Sequence, residues 1–115
     1  MLKQTDHLDR MFRALADSTR RAMVEHLVRS PASVSELARP FAMSMPAVVQ
    51  HLAVLEDAGI VTSQKVGRVR TVQLAPDALA ACGAWIGAQR LPAERQLDRL
   101  GATLAPDDTT TGEPT

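Results

Sequence analysis

The run Ser44-Met45-Pro46-Ala47-Val48-Val49-Gln50-His51-Leu52-Ala53-Val54-Leu55-Glu56-Asp57-Ala58-Gly59-Ile60-Val61 reads as one short helix with both ends marked. Ser44 is placed to cap the orphan amides of the first turn, and Pro46 is tolerated within that turn. Val48, Leu52 and Leu55 recur at i, i+4 and i+7, which predicts a narrow apolar stripe facing a core. At about 100° per residue, Pro46, Ala47, Gln50 and Ala53 fall on the far side. Those side chains are small or uncharged, so that face admits close approach to another surface. Gly59 is expected to end the helix in the left-handed conformation.

Upstream, Ser33-Val34-Ser35-Glu36 places a capping serine three residues before a glutamate, with Leu37, Ala38 and Phe41 following for packing. A short turn, Phe41 to Met43, separates this helix from the next. Two short helices around a tight turn, the second with a sparse polar face, form the helix-turn-helix layout. Downstream, residues 60–66 and 69–74 are β-prone runs joined around Gly67-Arg68, which predicts a hairpin. Its tip carries Lys65, Arg68 and Arg70, with no acidic residue between Thr62 and Leu74. Such a hairpin suits a wing reaching for phosphate.

Residues from about Arg13 to Leu74 resemble the ArsR-type winged helix-turn-helix transcriptional regulators. The matching segments are Leu15-Ala16-Asp17-Ser18-Thr19-Arg20-Arg21, Ser33 to Ala38, Met43 to Val48, His51 to Val61 and Lys65-Val66-Gly67-Arg68. Five segments in the expected order, over more than half the chain, make accidental agreement improbable. The resemblance implies a cytoplasmic homodimer that represses transcription at a short inverted repeat. Metal-sensing members carry a Cys-x-Cys pair before the recognition helix, or His and Asp ligands in the last helix. Here residues 33–41 hold no cysteine and no histidine follows His51, so the resemblance is to the subgroup without metal ligands. No metal site and no cofactor is expected.

A chain of 115 residues buries one modest core, so one DNA-binding and dimerisation domain is expected over residues 1–104. The small, acidic stretch 105–115 reads as a disordered tail. The formal net charge is zero, yet residues 1–75 hold ten Lys and Arg against seven Asp and Glu, and residues 76–115 three against six. Local field governs where a polyanion docks, so the basic part is the candidate DNA face, although such an excess also occurs on ordinary solvated surface. The single cysteine, Cys82, excludes an internal disulfide framework and fits a reducing compartment. With no apolar leader segment and no apolar run near the ~18 residues a bilayer needs, no membrane partner is expected and the protein is expected in the cytoplasm.

Leu8, Met11, Phe12 and Leu15 predict an amphipathic helix over 6–16, and a second begins at the Asp17-Ser18-Thr19 cap and buries Ala22, Met23, Val24 and Leu27. After the wing, Pro76-Asp77 is expected to open a helix with Leu79, Cys82, Gly83 and Ile86 on one face and Trp85 beside it. Pro92 must break or kink it, and Ala93 to Leu104 repeats Leu97, Leu100 and Leu104. The expected fold is α+β, mostly α, a winged helix-turn-helix of order α-α-α-α-β-β-α with a kinked or split C-terminal helix. So small a domain leaves the terminal stripes uncovered, and a second copy covers them most simply. Leu8, Met11, Phe12, Leu79, Trp85, Ile86, Leu97 and Leu100 are the expected dimer contacts.

In such a dimer the two recognition helices enter successive major grooves of double-stranded DNA roughly 34 Å apart. Gln50 is the candidate base reader, because its amide donates and accepts together as adenine requires; the alternative is a solvated polar. Ser44, Met45, Pro46 and Ala47 approach the groove, and Ser33 is a further DNA-contact candidate. His51, at the edge of the core stripe, is either a structural residue or a DNA contact; the resembled family usually has His there too. Lys65, Arg68 and Arg70 are phosphate or minor-groove candidates, with a cross-strand pair the alternative for Arg70. Arg20 and Arg21 are weaker candidates, since Asp17 is placed to hold either. Two other functions remain open: a redox regulator sensing through Cys82, which competes with burial of that thiol as a small hydrophobe, and a winged helix serving only protein partners. Enzymatic activity is not expected: the chain has no carboxylate pair, nucleophile-base set or glycine-rich phosphate loop.

Overall fold

The structure, a computed structural model, describes residues 2–104, with side chains described for residues 6–101; the expected disordered tail lies outside the described residues. The elements run α1 (Leu2–Leu15), α2 (Ser18–Arg29), β1 (Ala32–Ser33), α3 (Val34–Ala38), α4 (Met45–Asp57), β2 (Val61–Val66), β3 (Val69–Leu74), α5 (Ala80–Ala88) and α6 (Pro92–Leu104). This is the winged helix-turn-helix order, mostly helical, with the C-terminal helix split at Pro92. The described chain forms two compact units, one through Gly83 and one from Ala84 onward.

Helix starts follow the local chemistry of the caps. Asp17 accepts from the Arg20 amide at 3.0 Å, and Ser44 accepts from the Ala47 amide at 3.3 Å. Ser33 and Glu36 satisfy each other's backbone amides, at 3.1 and 2.8 Å, which completes a capping box on α3. The end of α4 is a Schellman motif: Gly59 sits at φ +79°, its amide bonds Glu56 and the Ile60 amide bonds Leu55, both at 3.0 Å. Ile60 and Leu55 are both fully buried, which supplies the apolar contact that accompanies such an end.

The wing is the antiparallel pair β2–β3, with Val61 opposite Leu74 and Val66 opposite Val69. Its two-residue turn has positive φ at Gly67 and not at Arg68, the type II′ pattern that matches the twist of the strands. One strand was not foreseen. Ala32 and Ser33 pair with Val72 and Thr71, so the sheet has three strands in the order β1-β3-β2. Two residues carry no readable alternation, and the second of them is also the cap of α3.

The core of the first unit joins Met11 and Ala14 of α1, Met23, Val24 and Leu27 of α2, Leu37 of α3, the Val48–Leu52–Leu55 row of α4 and Val61 and Val72 of the wing. Cys82, in the first turn of α5, is buried with them. The described residues include no buried polar or charged side chain. Past the wing, α5 begins at Ala80 rather than at Pro76, because Asp77 takes a left-handed φ of +55° that a helix cannot continue. Pro92 occupies the first position of α6, where its missing amide costs nothing. Ahead of it, the Leu91 amide donates to Glu94 at 3.0 Å. Among the described residues no helix is long and apolar enough to cross a membrane.

Two outcomes test this packing. Leu55→Ala removes a fully buried side chain at the centre of α4 and should lower the unfolding free energy by about 2–5 kcal/mol in a urea titration at fixed protein concentration; a loss below about 1 kcal/mol would contradict the placement. Asp17 and Glu36 are held below the ordinary carboxylate range, chiefly by the Arg20 and Ser33 amides respectively. The unfolded chain therefore takes up these protons first, and their contribution is present above the ordinary range and lost as pH falls through the lowered folded values. The double variant Asp17→Asn, Glu36→Gln should show a shallower acid-side decline of melting temperature than the parent, and an identical decline would contradict the assignment.

Candidate nucleic-acid interface

The core row of α4 determines which side chains the helix turns outward. With Val48, Leu52 and Leu55 buried, Met45, Pro46, Val49, Gln50 and Ala53 are exposed, and Ala47 is half-buried. No charge lies on this face before Glu56. The Ser44 oxygen is engaged as the cap, so its hydroxyl proton remains available to donate outward. Gln50 presents a free amide beside aliphatic Met45 and Val49, a mixture suited to a base edge and a thymine methyl group. Val49, 39% exposed, also lies outward, a position that the small residues of the far side do not mark in the sequence.

The wing tip presents Lys65 and Arg68, both exposed, and the aliphatic pair Val66 and Val69. Arg70 does not join them. Its guanidinium donates across the strand pair to Ser63 and also to Glu56 of α4, each at 3.1 Å, so it ties the wing to the recognition helix. The cross-strand alternative is thus met in part, and the second acceptor is a carboxylate fourteen residues earlier in sequence.

Arg20 is likewise a brace. It donates to the carbonyls of Ala14 and Arg13 at 2.6 and 3.1 Å, and to Nδ1 of His51 at 3.1 Å. A guanidinium has no acceptor, so Nδ1 accepts and the ring proton sits on Nε2. His51 is half-buried, 3.9 Å from the Asp17 carboxylate that caps α2. Arg20 and His51 thus lock the α1–α2 corner onto α4, the structural reading of His51. Arg21 donates to the Leu15 carbonyl at 2.8 Å. Ser33 is spent in its capping box and in β1. The structure therefore gathers Ser44, Met45, Pro46, Ala47 and Gln50 on one outward helix face and keeps Lys65 and Arg68 exposed at the wing tip, while Arg20, His51, Arg70 and Ser33 support these elements from behind.

Among the residues expected at a dimer contact, Met11 is corrected: at 1% exposure it faces the core of its own protomer. Helical spacing marks a face of α1 as apolar without saying what covers it. Leu8, Phe12 and Leu79 are half-buried against that core, while Trp85, Ile86, Leu97 and Leu100 are exposed. The Cys82 thiol is buried 3.9 Å from the Met11 sulfur, and burial pushes its pKa up. A sensing thiolate needs the opposite surroundings.

Residues 15–64 match the family described as helix-turn-helix domain. The HTH-type transcriptional regulator Rv2034 of Mycobacterium tuberculosis is 52% identical over 73 residues, covering 64% of this chain and 68% of that protein. Among solved structures, the ArsR family transcriptional regulator RHA00566 superposes with a TM-score of 0.71 at 45% identity, over 74% of this chain and 88% of that one. For the fold alone, the homodimeric winged helix-turn-helix DNA-binding domain Mb0332 of Mycobacterium bovis has a TM-score of 0.61 at 21% identity, over 73% of this chain and 80% of that one. Such regulators act on transcription and are not enzymes. The family match, the half-identical relative and the superposed fold agree with the capped α4 and basic wing: the chain belongs to the ArsR family of winged helix-turn-helix transcriptional regulators.

Proposed function

We propose that the protein is a homodimeric repressor that acts in the cytoplasm by occupying a short inverted-repeat operator. One observation carries the reading: α4 turns an uncharged face, Met45 to Ala53, outward beside a wing whose tip holds Lys65 and Arg68. An uncharged face meets base edges without repelling or trapping phosphate, while wing cations neutralise the flanking backbone. Gln50 is assigned to base readout, Ser44 to a phosphate or base acceptor, Met45, Pro46 and Ala47 to apolar contact, and Lys65 and Arg68 to phosphate.

Twofold pairing is supported by the exposed aliphatic side chains of the C-terminal helices. Ile86, Leu91, Leu97 and Leu100 are each more than half exposed, an apolar surface that a lone small protein rarely leaves in water. A second copy is assigned to cover them, and to cover the exposed flank of Leu8 and Phe12 on α1. Pairing doubles the recognition helices and explains why an inverted repeat is the natural target. Burial of Cys82 disfavours the redox alternative, and the basic wing disfavours a role confined to protein partners.

Gln50→Ala should narrow the gap in affinity between a selected duplex and an unrelated one by about 1 to 3 kcal/mol, read by fluorescence anisotropy; an unchanged gap would remove Gln50 from the reading set. Leu97→Asp should give a monomer by light scattering and abolish tight operator binding. A variant that stays dimeric, or a monomer that binds as tightly as the parent, would contradict the assigned interface.

A further inference from the structure

Alongside α4 runs a groove whose α1 wall the assigned contacts do not use. A space of about 540 Å³ is lined by Arg10 and Arg13 of α1 and by Gln50, Ala53, Val54 and Asp57 of α4. A second, of about 330 Å³, is lined by Arg20, Ala47, Gln50, His51 and Val54. Gln50 and Val54 border both, so the two form one trough along α4 from Ala47 to Asp57, about 15 Å at the helical rise. One wall carries three arginines. Arg20 is consumed by backbone carbonyls and His51.

Arg10 and Arg13 are different. They lie at i and i+3, so they share one face of α1, and both are exposed. Among the described residues neither guanidinium has an ion-pair or hydrogen-bond partner. The acidic neighbours are present and unused: Asp6 and Asp9 stand one turn before Arg10 and Arg13, and Asp57 closes the far end of the trough. The side chains line the trough beside α4 instead of closing onto these carboxylates.

We propose that Arg10 and Arg13 are a second phosphate clamp, gripping the DNA backbone on the side of α4 opposite the wing. The inference rests on the reading of α4 as the base-reading helix and extends it to α1. Gln50 lines the same trough, so an anion held there lies next to the residue assigned to base edges, which is where the strand flanking a major groove runs. Ala53 and Val54 give the trough a small, uncharged floor on which a backbone can settle closely. A guanidinium pairs a phosphate with two parallel hydrogen bonds, which two adjacent arginines offer to successive phosphates of one strand. The trough is open along its length, so it suits a continuous strand better than a small ligand that must be enclosed.

The test uses the full chain and two duplexes, the tightest binder from a randomised pool and an unrelated sequence, titrated by anisotropy across a range of potassium chloride. Arg10→Gln with Arg13→Gln should lower the slope of log affinity against log salt by about 1.8, at 0.9 for each phosphate lost, and weaken both duplexes alike. Arg10→Lys with Arg13→Lys should keep the parental slope. Each single glutamine variant should lose about half of that change, which keeps the test open if the double variant folds poorly by circular dichroism. A double variant with the parental slope, while Arg68→Ala lowers it by about one, would overturn the α1 clamp and leave the DNA reading standing. A parent whose duplex binding does not depend on salt would overturn both.

Discussion

The protein depends on the burial of one side of α4. A thirteen-residue helix is marginal alone in water, and its orientation comes from the row Val48, Leu52 and Leu55, continued by Ile60 beyond the Schellman turn. Each such side chain contributes about 1.5–3 kcal/mol when fully removed from water. The same burial that stabilises the helix selects which residues face outward. The outward set from Met45 to Ala53 has no charge, and a helix with that face is of use only if something rigid aims it.

Net neutrality is reconciled with a polyanionic partner in part by the way three of the acidic residues are spent. Asp17 caps α2, Glu36 closes the box on α3 and Glu56 holds Arg70. Each is satisfied locally by backbone amides or a guanidinium, so its field is partly cancelled where it stands. Lys65 and Arg68 stand exposed near the hairpin turn, and among the described residues no ion pair holds either. A count of charges weighs both kinds equally, and for that reason says little about where DNA docks.

Those features whose causes lie within a few residues were legible in the sequence. The Ser33–Glu36 box, the Ser44 cap, the Gly59 stop and the Gly67 turn each rest on residues no more than five positions apart in sequence. What escaped involves partners distant along the chain. Strand β1 exists only because β3, some forty residues later, offers it a ladder. Met11 read as a surface residue because periodicity marks a face as apolar without naming its neighbour. Arg20 and Arg70 had nearer partners on offer, Asp17 and the facing strand, and the acceptors His51 and Glu56 were brought to them only by the fold. Arg10 and Arg13, unpaired among the described residues, left a sequence signal, two arginines at helical spacing, but two acidic residues one turn earlier obscured it.

Arg20 and Arg70, both phosphate candidates in the sequence, hold α4 and the wing strand in place. On one side of α4, Arg20 bridges the end of α1 to His51; on the other, Arg70 bridges Glu56 to the wing strand through Ser63. Both bridges are charge-assisted and short, and both end on side chains of the same helix, five residues apart in sequence. Rotation of α4 about its axis would have to break one or the other, in addition to dislodging the buried row. Base readout tolerates little angular error, since a bidentate amide contact is lost when the side chain swings away from the base plane. Under the proposed function two guanidiniums serve orientation while phosphate falls to Lys65, Arg68 and the α1 pair, so that aim and grip are separate and each can change without disturbing the other.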